Sequence, residues 1–261
     1  MEDHPGKSPA LIRKFSFMMF AVFLMAACVI DAIRYLPGQV TVTSSHIAKM
    51  DMPIYHVTAE EPYVALTFDV GGNHDGIQKI LDVLDSRQVK ATFFASGEWI
   101  DRYPEEISEI CRRGHDLGIY GDNPEIMNQL TYKELQSNLL SVQNKVKSLT
   151  GYEMNLLRLP YSGYERTVIT NAKKCGYYSV KWDIDSMDWK NYGSDSIVHT
   201  VMENGHLQNG SIIRFRTDAR YTADALSAVT DTLFAQGYEP VAVSKMLELE
   251  NTGNTGNEYY E

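Results

Sequence analysis

The central part of the chain alternates between two hydrophobic periods. Residues 63–68 form a short apolar run, as in a buried strand, whereas residues 77–84 carry apolar side chains at i, i+3, i+4 and i+7, as on one face of a helix. The same patterns predict seven strands, at 63–68, 91–94, 116–119, 155–158, 178–182, 211–215 and 239–243. Each strand is followed by a predicted helix, at 77–84, 104–113, 131–149, 167–175, 194–203, 222–236 and 245–249.

This alternation predicts an α/β fold. A helix between successive strands allows those strands to lie parallel in one sheet. Seven strand–helix units fit a distorted (β/α) barrel, and an open doubly wound sheet is the alternative. The open sheet usually carries a glycine-rich phosphate loop after its first strand, and residues 68–73 do not supply that pattern. In a barrel, functional side chains gather at the carboxyl ends of the strands.

The amino-terminal region has a different pattern. Residues 15–33 are mostly apolar and follow a segment with three positive charges, which predicts a membrane anchor with its preceding residues in the cytoplasm and the domain outside. A cleaved signal peptide of a secreted protein, or a lipoprotein modified at Cys28, are the alternatives. The chain is then divided into a cytoplasmic segment 1–14, an anchor 15–33, a linker 34–52, a barrel domain 53–250 and a disordered tail 251–261.

Charge and cysteine content exclude several classes of protein. The chain has 24 Lys and Arg against 34 Asp and Glu, so its net charge is −10. A chain this acidic is a poor nucleic-acid binder. Its 3 cysteines have unrelated spacings, which excludes a disulfide framework or a zinc knuckle.

Polar and aromatic side chains follow the predicted strands at their carboxyl ends. Taken singly, each has a structural explanation: Asp69 and Arg158 could form an ion pair, and Asp185 or Asp188 could cap a helix. Taken together, they indicate a functional site on one rim of the barrel. The candidates are Asp69, Tyr120, Arg158, Tyr161, Asp185, Asp188, Trp189 and Arg216.

Six ordered segments between about residues 63 and 247 resemble the NodB-type polysaccharide deacetylases, carbohydrate esterase family 4. They are 67–71, 90–94, 114–118, 158–161, 182–189 and 210–213. The resemblance is to the sporulation-type branch in particular. It implies a distorted (β/α) barrel and a reaction that removes the acetyl group from an N-acetyl amino sugar.

In that family a zinc-like divalent metal polarises the amide and activates a water molecule. The resemblance makes Asp69 the catalytic base and Arg158 the residue that orients it. It assigns the wall of the pocket and the tuning of the acid to Asp185, Asp188 and Trp189. The substrate would also contact Tyr120, Tyr161 and Arg216.

The metal-binding motifs depart from the family pattern. Val70 stands where the resemblance expects a second aspartate ligand, and residues 119–124 contain no histidine where it expects a pair. Arg216 stands at the position of the catalytic histidine, and a guanidinium does not release a proton near neutral pH. No cofactor is therefore expected at the inherited positions.

These observations favour a cell-envelope protein that acts on or recognises N-acetyl amino-sugar polymers such as peptidoglycan, with impaired metal-dependent catalysis. Its expected partners are cell-wall glycan and the membrane, and not nucleic acid, and the chain is expected to be a monomer.

Three alternatives remain open. The chain could be an active N-deacetylase, a hydrolase of carbon–nitrogen bonds, with a relocated metal held by His74, Asp75 and Asp122. It could be a metal-free glycoside hydrolase that uses Asp69 and Asp185 as its carboxylate pair. It could also be a non-enzymatic interaction scaffold tethered to the membrane.

Overall fold

The computed structural model describes residues 51–121, 124–159 and 165–253. The predicted anchor, residues 15–33, lies outside these ranges. Within them, no helix combines the length and the apolar character needed to cross a bilayer. The folded unit that contains these ranges begins at Asp51.

The described residues form eight strands and nine α-helices, which alternate along most of the chain. The strands are β1 (Tyr63–Val70), β2 (Thr92–Ala95), β3 (Asp116–Tyr120), β4 (Leu156–Arg158), β5 (Tyr178–Val180), β6 (Ile184–Asp185), β7 (Ile212–Arg216) and β8 (Glu239–Val241). The helices are α1 (Ile77–Ser86), α2 (Gly97–Arg102), α3 (Pro104–Arg112), α4 (Pro124–Gln129), α5 (Tyr132–Thr150), α6 (Arg166–Lys174), α7 (Ser194–Met202), α8 (Thr222–Ala235) and α9 (Val243–Gly253). A 3₁₀ turn, Asp188–Lys190, follows β6.

The strands form one parallel sheet in the order β5-β4-β3-β2-β1-β7-β6. β8 pairs with the first half of β1, and β2 pairs with its second half. The two end strands, β5 and β6, are separated by only residues 181–183, so the chain itself connects the two ends of the sheet. This curled parallel sheet with helices outside it confirms the predicted α/β barrel type.

Two apolar layers hold the barrel together. The larger one lies between the sheet and the surrounding helices and contains alternate residues of β1, such as Phe68 and Val70. The smaller one contains residues from the opposite face of the strands, such as Ala65 and Phe94, together with Met246 and Leu247 of α9. The last helix, α9, therefore packs against the inner face of the curled sheet.

The prediction and the structure differ at several places. The predicted strand 178–182 is shorter, and β6 forms as a separate strand two residues long. The helices α2 and α4 were not predicted, because six residues give too few turns for a clear apolar period. α9 starts two residues earlier than expected and continues to Gly253, so residues 251–253 of the predicted tail are helical. Residues 254–261 lie outside the described ranges.

Candidate functional site

The register of the sheet brings the predicted rim residues together. Asp69 is paired with Arg216 across β1 and β7, and Thr67 with Arg214. Arg214 is in turn paired with Asp185 of β6 on its other side. Since side chains two residues apart on a strand point to the same face, acidic and basic groups from three neighbouring strands lie on one face of the sheet.

Asp69 is held between two guanidinium groups. Arg158 Nη1 donates to Asp69 Oδ1 at 3.0 Å, and Arg214 Nε donates to Oδ2 at 2.6 Å. The carboxylate is only 6% exposed. The ion pair between Asp69 and Arg158 that the sequence predicted is therefore present, and a second arginine completes it.

Arg158 is fully buried. Its guanidinium carbon lies 4.1 Å from the centre of the Phe94 ring, and its Nη2 donates to the carbonyl oxygen of Lys181 at 3.0 Å. Its Nη1 also donates to the hydroxyl of Thr67 at 2.9 Å. Burial lowers the pKa of Arg158, and the neighbouring Asp69 acts in the opposite direction. These contacts fix the guanidinium as a rigid support for the Asp69 carboxylate.

Arg214 connects two carboxylates. Besides Asp69, its guanidinium binds Asp185, with Nη1 donating to Oδ2 at 2.9 Å. Burial opposes the charge on Arg214, but Asp69 and Asp185 outweigh that effect and raise its pKa. The geometry does not favour the glycoside-hydrolase alternative, since both carboxylates that it requires are ion-paired to the same guanidinium.

A third cation completes this buried network. Lys181 is 3% exposed, and burial together with the charge of Arg158 lowers its pKa to about 8. The Trp182 ring lies within cation–π distance of all three cations: 4.5 Å from the guanidinium carbon of Arg214, 5.3 Å from that of Arg158 and 4.8 Å from Lys181 Nζ. Three cationic side chains therefore lie around the Trp182 ring, and two of them, Arg158 and Arg214, also bind carboxylates.

Sequence reasoning missed Arg214, Lys181 and Trp182. A usable signal existed for Arg214, because a charged residue interrupts the apolar run Ile212–Phe215 and has the same strand parity as the candidate Arg216. Trp182 begins the family-like segment 182–189, but the sequence assigned no role to it or to Lys181, because their role depends on the way the chain closes the sheet between β5 and β6.

Asp188 lies beneath the rim. Its side chain is 1% exposed, and its Oδ2 accepts from the backbone N–H of Arg216 at 2.7 Å and from the hydroxyl of Thr222 at 2.6 Å. Burial raises the pKa of its carboxyl group. These contacts support a positioning role, in which Asp188 fastens the loop after β6 to β7 and α8.

The other candidates have more varied surroundings. The Arg216 guanidinium binds Asp218 through two hydrogen bonds of 3.0 Å, while its side chain is 39% exposed. Tyr120 ends β3, and burial together with the Asp69 charge raises the pKa of its hydroxyl. Trp189 projects from the loop after β6 and is 48% exposed. Tyr161 lies outside the described residues.

The chain is similar in sequence to proteins of known activity. A profile described as Polysaccharide deacetylase matches residues 56–180. Over 199 residues the chain is 31% identical to the peptidoglycan-N-acetylmuramic acid deacetylase PdaA of Bacillus subtilis (strain 168), covering 75% of this chain and 74% of PdaA.

The chain belongs to the NodB-type polysaccharide deacetylases, carbohydrate esterase family 4.

Other relatives of this polysaccharide deacetylase family member differ in length and in fold similarity. The chain is 30% identical over 194 residues to the peptidoglycan-N-acetylmuramic acid deacetylase PdaC of the same Bacillus strain. The matched region covers 74% of this chain but only 40% of PdaC. The solved structure of PdaA has a TM-score of 0.70 and 28% identity, covering 78% of this chain and 88% of that one. A Bacillus anthracis protein described as a pseudoenzyme of carbohydrate esterase family 4 also reaches a TM-score of 0.70. Its 23% identity, over 76% of this chain and 70% of that one, shows likeness of fold alone.

The described rim does not supply the donors that a divalent metal needs. Val70, at the position of an expected ligand, has no lone pair and is 3% exposed within the outer apolar layer. Both oxygens of Asp69 bind guanidinium groups. Within residues 51–121, 124–159 and 165–253, no three His, Cys, Asp or Glu side chains are grouped to bind a metal.

Of the residues considered for a relocated metal, the two that the structure describes, His74 and Asp75, contact other side chains. His74 Nδ1 lies 2.9 Å from Glu106 Oε1, and Asp75 accepts a hydrogen bond from Asn73 at 2.8 Å. Asp122 lies outside the described residues. His115, which is buried at the amino end of β3, accepts the backbone N–H of Ala91, and burial lowers its pKa to about 4. It is thus far from the rim and neutral at neutral pH.

Proposed function

We propose that this polysaccharide deacetylase family member recognises N-acetyl amino-sugar polymers of the cell envelope, such as peptidoglycan, and does not hydrolyse them by the family's metal-dependent route. The observation that carries this proposal is the position of Arg214. Its guanidinium donates to the second oxygen of the expected catalytic base, Asp69, and joins that base to Asp185.

The arrangement is poorly suited to proton transfer. A general base must approach the attacking water with a free acceptor and take up its proton. Here each Asp69 oxygen already accepts a charge-assisted hydrogen bond from a buried arginine. Arg216 cannot replace the family's histidine as the acid, because a guanidinium bonded to Asp218 holds its proton even more firmly than a free one.

The same rim is suited to binding sugars. Trp189 exposes an aromatic surface on which a sugar ring could stack, and the partly exposed Arg216 offers N–H donors. The relatives PdaA and PdaC are peptidoglycan deacetylases by name, which supports peptidoglycan as the polymer. The pseudoenzyme of Bacillus anthracis provides a precedent for an inactive protein with this fold.

A catalytic assay tests the inactive part of the proposal. The purified full-length chain is supplied in turn with Zn²⁺, Co²⁺ and Mn²⁺ and incubated with N-acetylated peptidoglycan, with Asp69→Asn as the matched control. We expect the same acetate release from both proteins. Acetate release that a chelator stops and Asp69→Asn abolishes would instead establish the active deacetylase with a relocated metal.

A binding assay tests the recognition part. Wild type, Trp189→Ala and the control Phe234→Ala, which removes an exposed aromatic ring from α8, are mixed with insoluble peptidoglycan. We expect Trp189→Ala to weaken binding about tenfold and Phe234→Ala to leave it unchanged. Absence of wild-type binding would refute recognition and favour an interaction scaffold.

The location outside the cytoplasm is also part of the proposal, and it rests on the apolar segment 15–33 and the positive charges before it. Cell fractionation and protease treatment of intact protoplasts test it. The chain should sediment with membranes and its barrel domain should be cleaved from outside. Recovery of the intact chain in the cytosol would contradict this location.

A further inference from the structure

The loop after β6 exposes two aromatic side chains that are three residues apart in sequence. Trp189 is 48% exposed and Tyr192 is 76% exposed, the highest value for a large hydrophobic side chain among the described residues. Exposed aromatic rings cost free energy in water unless a partner covers them. This loop therefore has a surface that a ligand could stabilise.

A lysine lies between the two rings. Lys190 Nζ is 5.5 Å from the centre of the Trp189 ring and 6.0 Å from that of Tyr192, so its ammonium group is attracted to both. No carboxylate among the described residues lies within ion-pair distance of Lys190. The loop thus combines two stacking surfaces with one available positive charge.

The backbone of this loop is held in an unusual conformation. Met187 and Asn191, on either side of the 3₁₀ turn, both have left-handed φ values, 56° and 55°. Asparagine tolerates this conformation, but methionine adopts it at a cost, and such strain is concentrated at functional positions.

Several hydrogen bonds compensate for the strain. Met187 N donates to Asp185 Oδ1 at 2.9 Å, and Asn191 Oδ1 accepts from the backbone N–H of Arg220 at 3.2 Å. Asn191 Nδ2 also donates to the carbonyl oxygen of Trp189 at 3.3 Å. With Asp188 buried beneath it, the loop presents the exposed side chains of Trp189, Lys190 and Tyr192 on a fixed backbone, which lowers the entropy lost on binding.

The geometry points to a glycan subsite formed by Trp189, Lys190 and Tyr192, in which the rings stack on successive sugars and Lys190 pairs with a carboxylate substituent of the polymer. This inference rests on the proposed function and narrows it to glycans that carry an acidic group. An N-acetyl amino sugar with a carboxylate would therefore bind more tightly here than the neutral sugar.

Calorimetric titration of the full-length chain tests this subsite with two probes. One is a neutral oligomer of N-acetylglucosamine, and the other is a peptide-free peptidoglycan strand, whose muramic acid residues carry carboxylates. The variants are Lys190→Gln, Lys190→Arg and Tyr192→Ala. The controls are Lys79→Gln and Phe234→Ala, which change an exposed lysine of α1 and an exposed ring of α8.

We expect Lys190→Gln to weaken binding of the carboxylate-bearing strand about fivefold and to leave the neutral oligomer unchanged. Lys190→Arg should retain the wild-type affinities, and Tyr192→Ala should weaken the binding of both probes about tenfold. Both controls should behave as wild type.

Two other outcomes overturn the inference in different ways. If wild type binds glycan but Lys190→Gln and Tyr192→Ala bind it equally well, the subsite is refuted while the proposed function stands. If wild type binds neither probe, the proposed function fails and the subsite with it.

Discussion

Two buried aspartates at opposite ends of the sheet are satisfied by different chemistry. Asp69, at the carboxyl end of β1, is bound by two guanidinium groups. Asp116, at the amino end of β3, accepts hydrogen bonds from neutral groups: the N–H and hydroxyl of Ser244 at 2.9 Å each, the Thr92 hydroxyl at 3.2 Å and the Tyr152 hydroxyl at 3.5 Å. Both residues are less than 10% exposed.

This difference in partners distinguishes a charged rim with a functional role from an end of the sheet that serves packing. The bonds of Asp116 to Ser244 attach the first turn of α9 to the sheet, and neutral donors are sufficient for that purpose. At the other end, three cations and two carboxylates are removed from water. An apolar cluster could replace these charged groups without loss of stability. We infer that the charged network persists because of the role of this rim and not because the fold requires it.

The largest change in the free energy of unfolding is expected when Arg214 is replaced. Arg214→Met leaves Asp69 and Asp185 with fewer cationic partners in a buried place, so we expect a loss of about 3–5 kcal/mol in the free energy of unfolding. Urea denaturation followed by circular dichroism measures it. Combining Arg214→Met with Asp185→Asn should restore part of the loss, and strict additivity of the two changes would contradict the proposed coupling.

The pH dependence of stability tests Lys181. In the unfolded chain Lys181 keeps its proton up to about pH 10.5, whereas in the folded domain it releases it near pH 8. Between these values the unfolded state binds more protons, so wild-type stability should rise with pH by about 1–3 kcal/mol relative to Lys181→Met. Parallel stability curves for the two proteins between pH 7.5 and about 10.5 would contradict a buried, charged Lys181.

A smaller effect is expected at the other end of the sheet. Asp116→Asn replaces an acceptor for Ser244 with an amide, at a cost of about 1–2 kcal/mol measured by urea denaturation. Burial raises the pKa of Asp116, so the folded state takes up a proton first as the pH falls. The stability difference between wild type and Asp116→Asn should therefore grow at acidic pH, the opposite side of neutrality from Lys181. A cost as large as that of Arg214→Met would remove the contrast between the two ends.

The smallest change in the free energy of unfolding should come from replacing Arg216, two residues after Arg214 on β7, with methionine. Arg216 is partly exposed, and its pairing with Asp218 is screened by solvent. Arg216→Met should therefore change the free energy of unfolding by less than about 1 kcal/mol under the conditions used for Arg214→Met. A loss equal to that of Arg214→Met would show that charge on β7, and not burial, sets the cost.

The sequence predicted local features well where the apolar pattern was long. The capping box at Thr131 and Glu134 and the left-handed Gly151 mark both ends of α5 within one residue of the prediction. β6 was not predicted as a strand of its own, because two residues have no period, and only pairing with β7 makes them a strand. The ion pair of Asp69 and Arg158 could be predicted from their places at strand ends, whereas Arg214 was missed.

The sequence alone determined the alternation of strands and helices, the family and the loss of expected metal ligands such as Val70, because these depend on residue type and short-range spacing. Only the tertiary structure decided how the charges pair. Arg214 reaches Asp69 and Asp185 because β7 lies between β1 and β6 in the sheet, although 145 and 29 residues separate these positions along the chain. Electrostatic contacts depend on distance and burial in the folded sheet, and neither quantity is set by order along the chain.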